Sequence, residues 1–251
     1  MQLLLGLALT GDPRDIPRFL WWMESSPDWR TRTNAARAAA GWAGDPRVRP
    51  ILMDALGDPS THVAVSASQA LANAQQLTPR ELSRLKAWVE DNPGEWRRAG
   101  PILTLLGRLG EGDFLRRWLE QWSAEDVGPR TRGLGAIAFV GGEEAADVLL
   151  DAAESPISRI RGTAIGGLAR RWRAERQDPG MTERYFQIFA DALRTGDPAA
   201  VYVAAPALAD SAFLPLGSVD LLSEEYGKMD LPEDLEGMQA ILRALGQTGA
   251  G

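Results

Sequence analysis

Apolar residues recur every three to four positions along almost the whole 251-residue chain, the spacing of helices with one buried face. Long alternating apolar–polar stretches are lacking and β-branched residues are sparse, so the pattern predicts no strands. Between the breaks it predicts about fifteen helices: 2–9, 14–24, 29–42, 46–56, 60–75, 79–91, 95–109, 112–122, 129–140, 143–153, 157–173, 181–195, 199–210, 215–227 and 233–246. The breaks are written alike. Gly11-Asp12-Pro13, Gly44-Asp45-Pro46, Gly57-Asp58-Pro59 and Gly196-Asp197-Pro198 each place a helix-ending glycine, a capping aspartate and a proline suited to a first helical turn. From residue 12 onward the helices pair, which gives about seven two-helix units.

The second helices of these pairs overlay. "IRGTAIGGLA" at 160–169 matches "TRTNAARAAA" at 31–40, "VAVSASQALA" at 63–72, "TRGLGAIAFV" at 131–140 and "AVYVAAPALA" at 200–209. "RRAGPILTLL" at 97–106 and "GMQAILRALG" at 237–246 fit more loosely. Second positions fall at 32, 64, 98, 132, 161 and 201, steps of 32, 34, 34, 29 and 40. A period near 33 is the mark of a helical repeat array.

This degenerate motif, close to V-R-x-x-A-A-x-A-L-G with aspartate and proline at the turns, resembles the HEAT-repeat family within the armadillo-type superhelices, and the resemblance covers roughly residues 12–246. It implies an all-α, right-handed α–α superhelix, one solenoid domain over 1–251 whose residues 1–11 are the residual helix of a truncated repeat. On that reading the chain is a piece of a longer protein. In the family the motif arginine pairs with acidic turn residues of adjoining repeats. The resemblance carries that ladder to Arg32, Arg98, Arg132 and Arg161, with interruptions at Ala64 and Val201. The longer step before 201 holds "RRWRAERQDPGM", read as a surface insertion whose arginines form a solvated helix end.

Composition removes most chemistry. There are no cysteines, so thiolate nucleophiles, disulfides and Cys-ligated zinc are excluded. His62 is the single histidine, which rules out a multi-histidine metal site. Walker, G-x-G-x-x-G, H-E-x-x-H and G-x-S-x-G motifs are missing. Glu143, Asp147 and Asp151 share one helix face and are read as solvated rather than as metal ligands. No apolar run is long enough to cross a membrane. The expectation is therefore no enzyme, no cofactor and no metal.

The net charge of −7 belongs to one end. Residues 196–251 hold 9 acidic and 2 basic residues, which leaves 25 of each sign over 1–195. This argues against nucleic acid as a partner, since phosphate binding needs a net basic surface. It also disfavours a HEAT-like DNA glycosylase of the alkylpurine type. What remains is a protein or peptide partner, with the oligomeric state open.

On a helical wheel, motif positions 1, 4, 5, 8 and 9 share a core arc, and position 2 lies at the edge toward a neighbouring repeat. The opposite arc holds positions 3 and 7 and the residue just before the motif, and in this family it faces the concave groove. The residue before the motif reads Arg30, His62, Trp96, Arg130 and Arg159; position 7 includes Arg37, Gln69, Leu103 and Ile137; position 3 includes Tyr202. The expected groove is thus a basic and aromatic row beside a small or apolar floor, with Gly162 and Gly166 facing it and Gly167 in the core. Trp29 and Trp96 are the tryptophans placed to bind. Two readings stand for the row. Turn carboxylates such as Asp28 and Asp126 neutralise it, or an acidic or extended peptide does. The function that follows is a non-enzymatic interaction scaffold. The alternative is an accessory domain, since 205–217 and 231–246 are similar to HEAT-repeat regions beside bacterial cyclophilin-type prolyl isomerases.

Overall fold

The computed structural model describes residues 12–72, 77–174, 179–208, 218–228 and 241–244. Among these, every regular element is helical, and the fold is an all-α solenoid built from repeated helix pairs. The chain divides into two compact units, residues 1–118 and 119–251. The helix predicted over 2–9 lies outside the described residues, as does all of the 233–246 span except 241–244.

In the first unit α1 (Ile16–Ser25) packs on α2 (Trp29–Ala38), α3 (Val48–Ala55) on α4 (Thr61–Leu71), and α5 (Pro79–Asp91) on α6 (Trp96–Arg108). The second members α2, α4 and α6 lie side by side. Composition explains the arrangement. First helices contribute large buried side chains, such as Ile16, Phe19 and Met23 of α1 and Val48 and Leu52 of α3. Second helices have neighbours on both flanks and bury small ones: Ala35, Ala36 and Ala38 in α2, and Ala64, Ala67 and Ala70 in α4. Small side chains let helix axes approach closely. Helix α7 (Gly112–Glu120) follows and runs across the division.

The second unit repeats the plan. Helix α9 (Glu143–Ala153) packs on α10 (Ser158–Ala174) and α11 (Pro179–Arg194) on α12 (Pro198–Leu208). Helices α8 (Val127–Ile137), α10 and α12 lie side by side, and α13 (Ser218–Lys228) packs on α11. Gly162 and Gly166, expected toward a groove, lie half-buried beside a neighbouring helix. A Cβ on Gly162 would stand 3.1 Å from Ala199 Cβ, and one on Gly166 would stand 3.6 Å from Val203 Cγ1, both on the adjacent α12. Gly167 is the tightest, since its Cβ would meet Leu149 Cδ2 at 2.9 Å and Ala138 Cβ at 3.1 Å. Gly162 and Gly167 thus permit close packing on three neighbouring segments, while a Cβ at Gly166 would make ordinary contact.

The Gly-Asp-Pro turns join neighbouring pairs. Asp58 accepts the Ser60 N–H at 2.7 Å, just before α4, and it also accepts Arg32 Nε at 2.8 Å and Nη2 at 3.0 Å from α2. Arg32 completes its bonding on the Ser26 carbonyl at 2.8 Å. Asp197 does the same in the second unit, accepting the Ala199 N–H at 3.1 Å and the Arg161 guanidinium. Burial acts to raise the Asp197 pKa, but the bonds from Ser158 Oγ and Arg161 outweigh it and hold the carboxyl below its usual value. Asp45 stays within its own turn: the Arg47 side chain and N–H lower it to about 2.

The ladder differs from the expected one at two arginines. Arg98 donates to the Gly57 carbonyl of the preceding turn and lies 3.7 Å from Glu95. Arg132 is exposed and makes no hydrogen bond or ion pair among the described residues. Its place is taken by Arg130, whose Nη1 donates to the Trp122 carbonyl at 3.1 Å.

Nor is the arginine cluster after Gly167 a solvated helix end. Arg171 is buried and donates to the carbonyls of Val140 and Gly142, the latter at 2.7 Å. Gly142 has φ +90°, and the guanidinium closes this turn between α8 and α9. Arg170 lies over the Phe139 ring at 4.1 Å, and Trp172 stacks on Phe189 at 5.0 Å. Arg176 lies outside the described residues.

Candidate interaction surface

Burial along the second helices gives the register directly. In α2, α4, α10 and α12, motif positions 5, 6, 8 and 9 are buried and position 7 is not: Arg37 and Gln69 are exposed, Gly166 and Pro206 half-buried. Position 6, small in the motif but left off the core arc of the wheel, is buried where second helices lie against one another. In α6 the buried set is Ile102, Leu103, Leu105 and Leu106, with Thr104 between them half-buried. The motif therefore starts at 98, one residue later than the sequence spacing suggests. In α8 the set is Gly133, Leu134, Ala136 and Ile137 around half-buried Gly135, and the motif starts at 129, two residues earlier.

Two expected surface residues move into the core as a result. Leu103 and Ile137 are both fully buried. The open positions in their place are Thr104 and Gly135. Arg130, expected in the row before the motif, is half-buried in the arginine column. Trp96 is half-buried and is the first residue of α6, and the row position belongs to Arg97, which is exposed.

Arg30, His62 and Arg97 are each the second residue of their helix, on the adjacent α2, α4 and α6. All three are exposed. Around them lie two tryptophans at the first helical positions. The Trp29 and His62 rings stack with centroids 4.8 Å apart and an interplanar angle of 20°. Arg30 lies over Trp29 at 4.7 Å and Arg97 over Trp96 at 4.3 Å. Val65, 38% exposed on α4, is an apolar contact available beside the row. Farther along the same helices Arg37 and Gln69 remain exposed.

The turn carboxylates are otherwise engaged. Asp28 accepts the Thr31 hydroxyl at 2.9 Å and the N–H groups of Arg30 and Thr31 at 3.2 Å, and these bonds, the hydroxyl's first, lower its pKa with a smaller contribution from the Arg30 charge. It thus caps α2 and is not ion-paired with a row guanidinium. Asp126 accepts Ser123 N–H at 3.0 Å and Oγ at 2.8 Å. Among the described residues Arg30, Arg37 and Arg97 form no ion pair.

The second unit has a sparser counterpart. Arg159 is exposed as the second residue of α10, and Tyr202 on α12 is 58% exposed. The corresponding residues of α8 and α12 are Gly128 and Ala199. Of the three carboxylates read as solvated, Asp147 pairs with Arg184 at 3.0 Å across the α9–α11 face. Among the described residues no cluster could hold a metal ion, and no helix is long and apolar enough to cross a membrane.

Residues 16–106 match the family model described as HEAT repeats. Over these residues the chain is similar to HEAT repeats. The match spans α1 to α6, the pairs that present the row of Arg30, His62 and Arg97. Two solved structures are similar at low identity. One is an engineered protein, 17% identical, with a TM-score of 0.40 and coverage of 94% of this chain and 99% of that one. The other is the complex of CpcE and CpcF of phycocyanin lyase from Nostoc, 18% identical, with a TM-score of 0.40 and coverage of 96% and 84%. No curated protein matches the sequence. The segments similar to isomerase-associated HEAT repeats fall mostly on 209–217 and 231–240, outside the described residues.

Proposed function

We propose that the chain is a non-enzymatic protein-interaction scaffold whose HEAT-repeat face over α2, α4 and α6 takes an acidic, extended segment of a partner protein. The observation that carries this reading is the row Arg30, His62 and Arg97, repeated at one helical position on three adjacent helices, with no carboxylate ion-paired to its arginines among the described residues. Exposed cations that are not held in ion pairs raise the local concentration of an anionic partner. The tryptophans under the two arginines, with exposed Val65, add the apolar and cation–π area that anchors a bound segment.

The HEAT-repeat match supports a protein partner, since these arrays offer extended surfaces built from successive second helices. Selection from a random peptide library on the immobilised chain tests the proposal. Sequences rich in Asp and Glu with an interspersed apolar residue are the expected outcome, and an unbiased or Lys-rich selection overturns it.

A further inference from the structure

The repeats provide an internal comparison for the arginine column. Arg32, Arg130 and Arg161 are each the fourth residue of their helix, α2, α8 and α10. Each sends Nη1 to a carbonyl just ahead of its own helix, that of Ser26, Trp122 or Ser155. Arg32 and Arg161 also reach a carboxylate in the turn before the next second helix, Asp58 or Asp197. These aspartates share a local geometry: a proline follows, and the carboxylate accepts the N–H two residues on.

The turn before α10 has the same geometry with a neutral residue in the aspartate's place. Ser155 is followed by Pro156, and its Oγ accepts the Ile157 N–H at 3.2 Å. Helices α8 and α10 are neighbours, as are α2 and α4, and α10 and α12. Ser155 therefore stands where the counter-charge of Arg130 would be. In the first unit, by contrast, Ala64 brings no guanidinium, and the turn before α6 has Asn92-Pro93 with no charge to match.

Arg130 forms no ion pair among the described residues, and its Nε is buried without an acceptor. Arg161 also has a buried Nε without an acceptor, but Asp197 meets its charge. A half-buried guanidinium without a counter-charge is unfavourable, the more so in a first helical turn facing the positive end of the macrodipole. We infer that Arg130 is the cation of an anion-binding site between α8 and the turn before α10. The site takes a small oxyanion, phosphate or carboxylate, in the place that Asp58 and Asp197 fill from within the chain.

The thermal midpoint of the whole chain tests this at constant ionic strength in chloride, inorganic phosphate or acetate. Phosphate raises the midpoint of the unaltered chain saturably; an equal rise in acetate assigns a carboxylate ligand, and a rise in phosphate alone assigns phosphate. Ser155→Asp supplies the missing charge, so it raises the midpoint in chloride by roughly 2–4 °C and removes the response to added anion. In an Arg130→Met background Ser155→Asp gives no rise. The Arg130 Nε–H resonance of the unaltered chain moves saturably with phosphate, a readout that needs no variant. Phosphate strengthens burial generally by exclusion from protein surfaces. An equal rise in the Arg130→Met chain therefore overturns the site, as does a resonance that stays in place.

Discussion

Arg32 of α2 holds Asp58 of the next turn through two parallel bonds, Nε at 2.8 Å and Nη2 at 3.0 Å, while Asp58 also accepts the N–H of Ser60, the residue that precedes α4. One carboxylate therefore sets the turn into a helix and ties it to the helix before. Both side chains are largely withdrawn from solvent, 15% and 9% exposed. Asp58→Asn keeps an acceptor for the Ser60 N–H but leaves the guanidinium uncompensated, and a loss of about 1–3 kcal/mol is expected in urea unfolding. Arg32→Met removes the charge itself and costs less than Asp58→Ala, which loses both the rung and the turn bond to Ser60.

Asp197 gives the second unit a pH dependence. Its folded pKa lies below its ordinary carboxyl value. The stabilisation is therefore complete above that value and is lost as pH falls through the lower folded pKa. Acid titration of the chain should show a component that Asp197→Asn abolishes, with the variant less stable at neutral pH and equal to the parent in strong acid.

Two glycines of second helices should respond oppositely to the same change. Gly167→Ala places a Cβ at 2.9 Å from Leu149 Cδ2 and 3.1 Å from Ala138 Cβ, where something must shift. A destabilisation of about 1–3 kcal/mol is expected. Gly135→Ala in α8 meets no atom within 4 Å. It should stabilise the chain by about 0.4–1 kcal/mol through helix propensity and a less flexible unfolded state. Chemical denaturation of both variants in parallel checks the contrast.

Arg171 is structural despite its charge. Replacing it with Met leaves the Val140 and Gly142 carbonyls short of a donor beside a positive-φ glycine. A loss of about 2–3 kcal/mol is expected, together with faster hydrogen exchange in the turn between α8 and α9.

The helix pairs and the Gly-Asp-Pro turns were legible because each rests on local chemistry, period and breaker, although Asp45 and Asp58 bond within their turns rather than cap the next helix. The arginine column was legible for Arg32 and Arg161, where apolar neighbours flank it clearly. It was misread in α8 because "GPRTRGLGAIA" offers two arginines two residues apart, and its glycines give no apolar contrast to fix the register. The same slip, by one residue in α6, put Leu103 on the surface and Trp96 in the place of Arg97. A count from the helix start would have corrected both, but only if that start were known to a single residue. Arg171 was hidden because nothing local distinguishes it from Arg170 and Arg173. Its partners are carbonyls some thirty positions earlier in the chain.

The central claim is that the face over α2, α4 and α6 receives an acidic segment. Fluorescence anisotropy of a labelled Asp/Glu-rich peptide, titrated with the chain at low and physiological salt, tests it most directly. Binding should weaken with salt, fall roughly tenfold or more in an Arg30→Glu/Arg97→Glu double variant, and be unchanged in Arg159→Glu. Equal affinity in the unaltered chain and the double variant, or equal binding of a Lys-rich peptide, contradicts it.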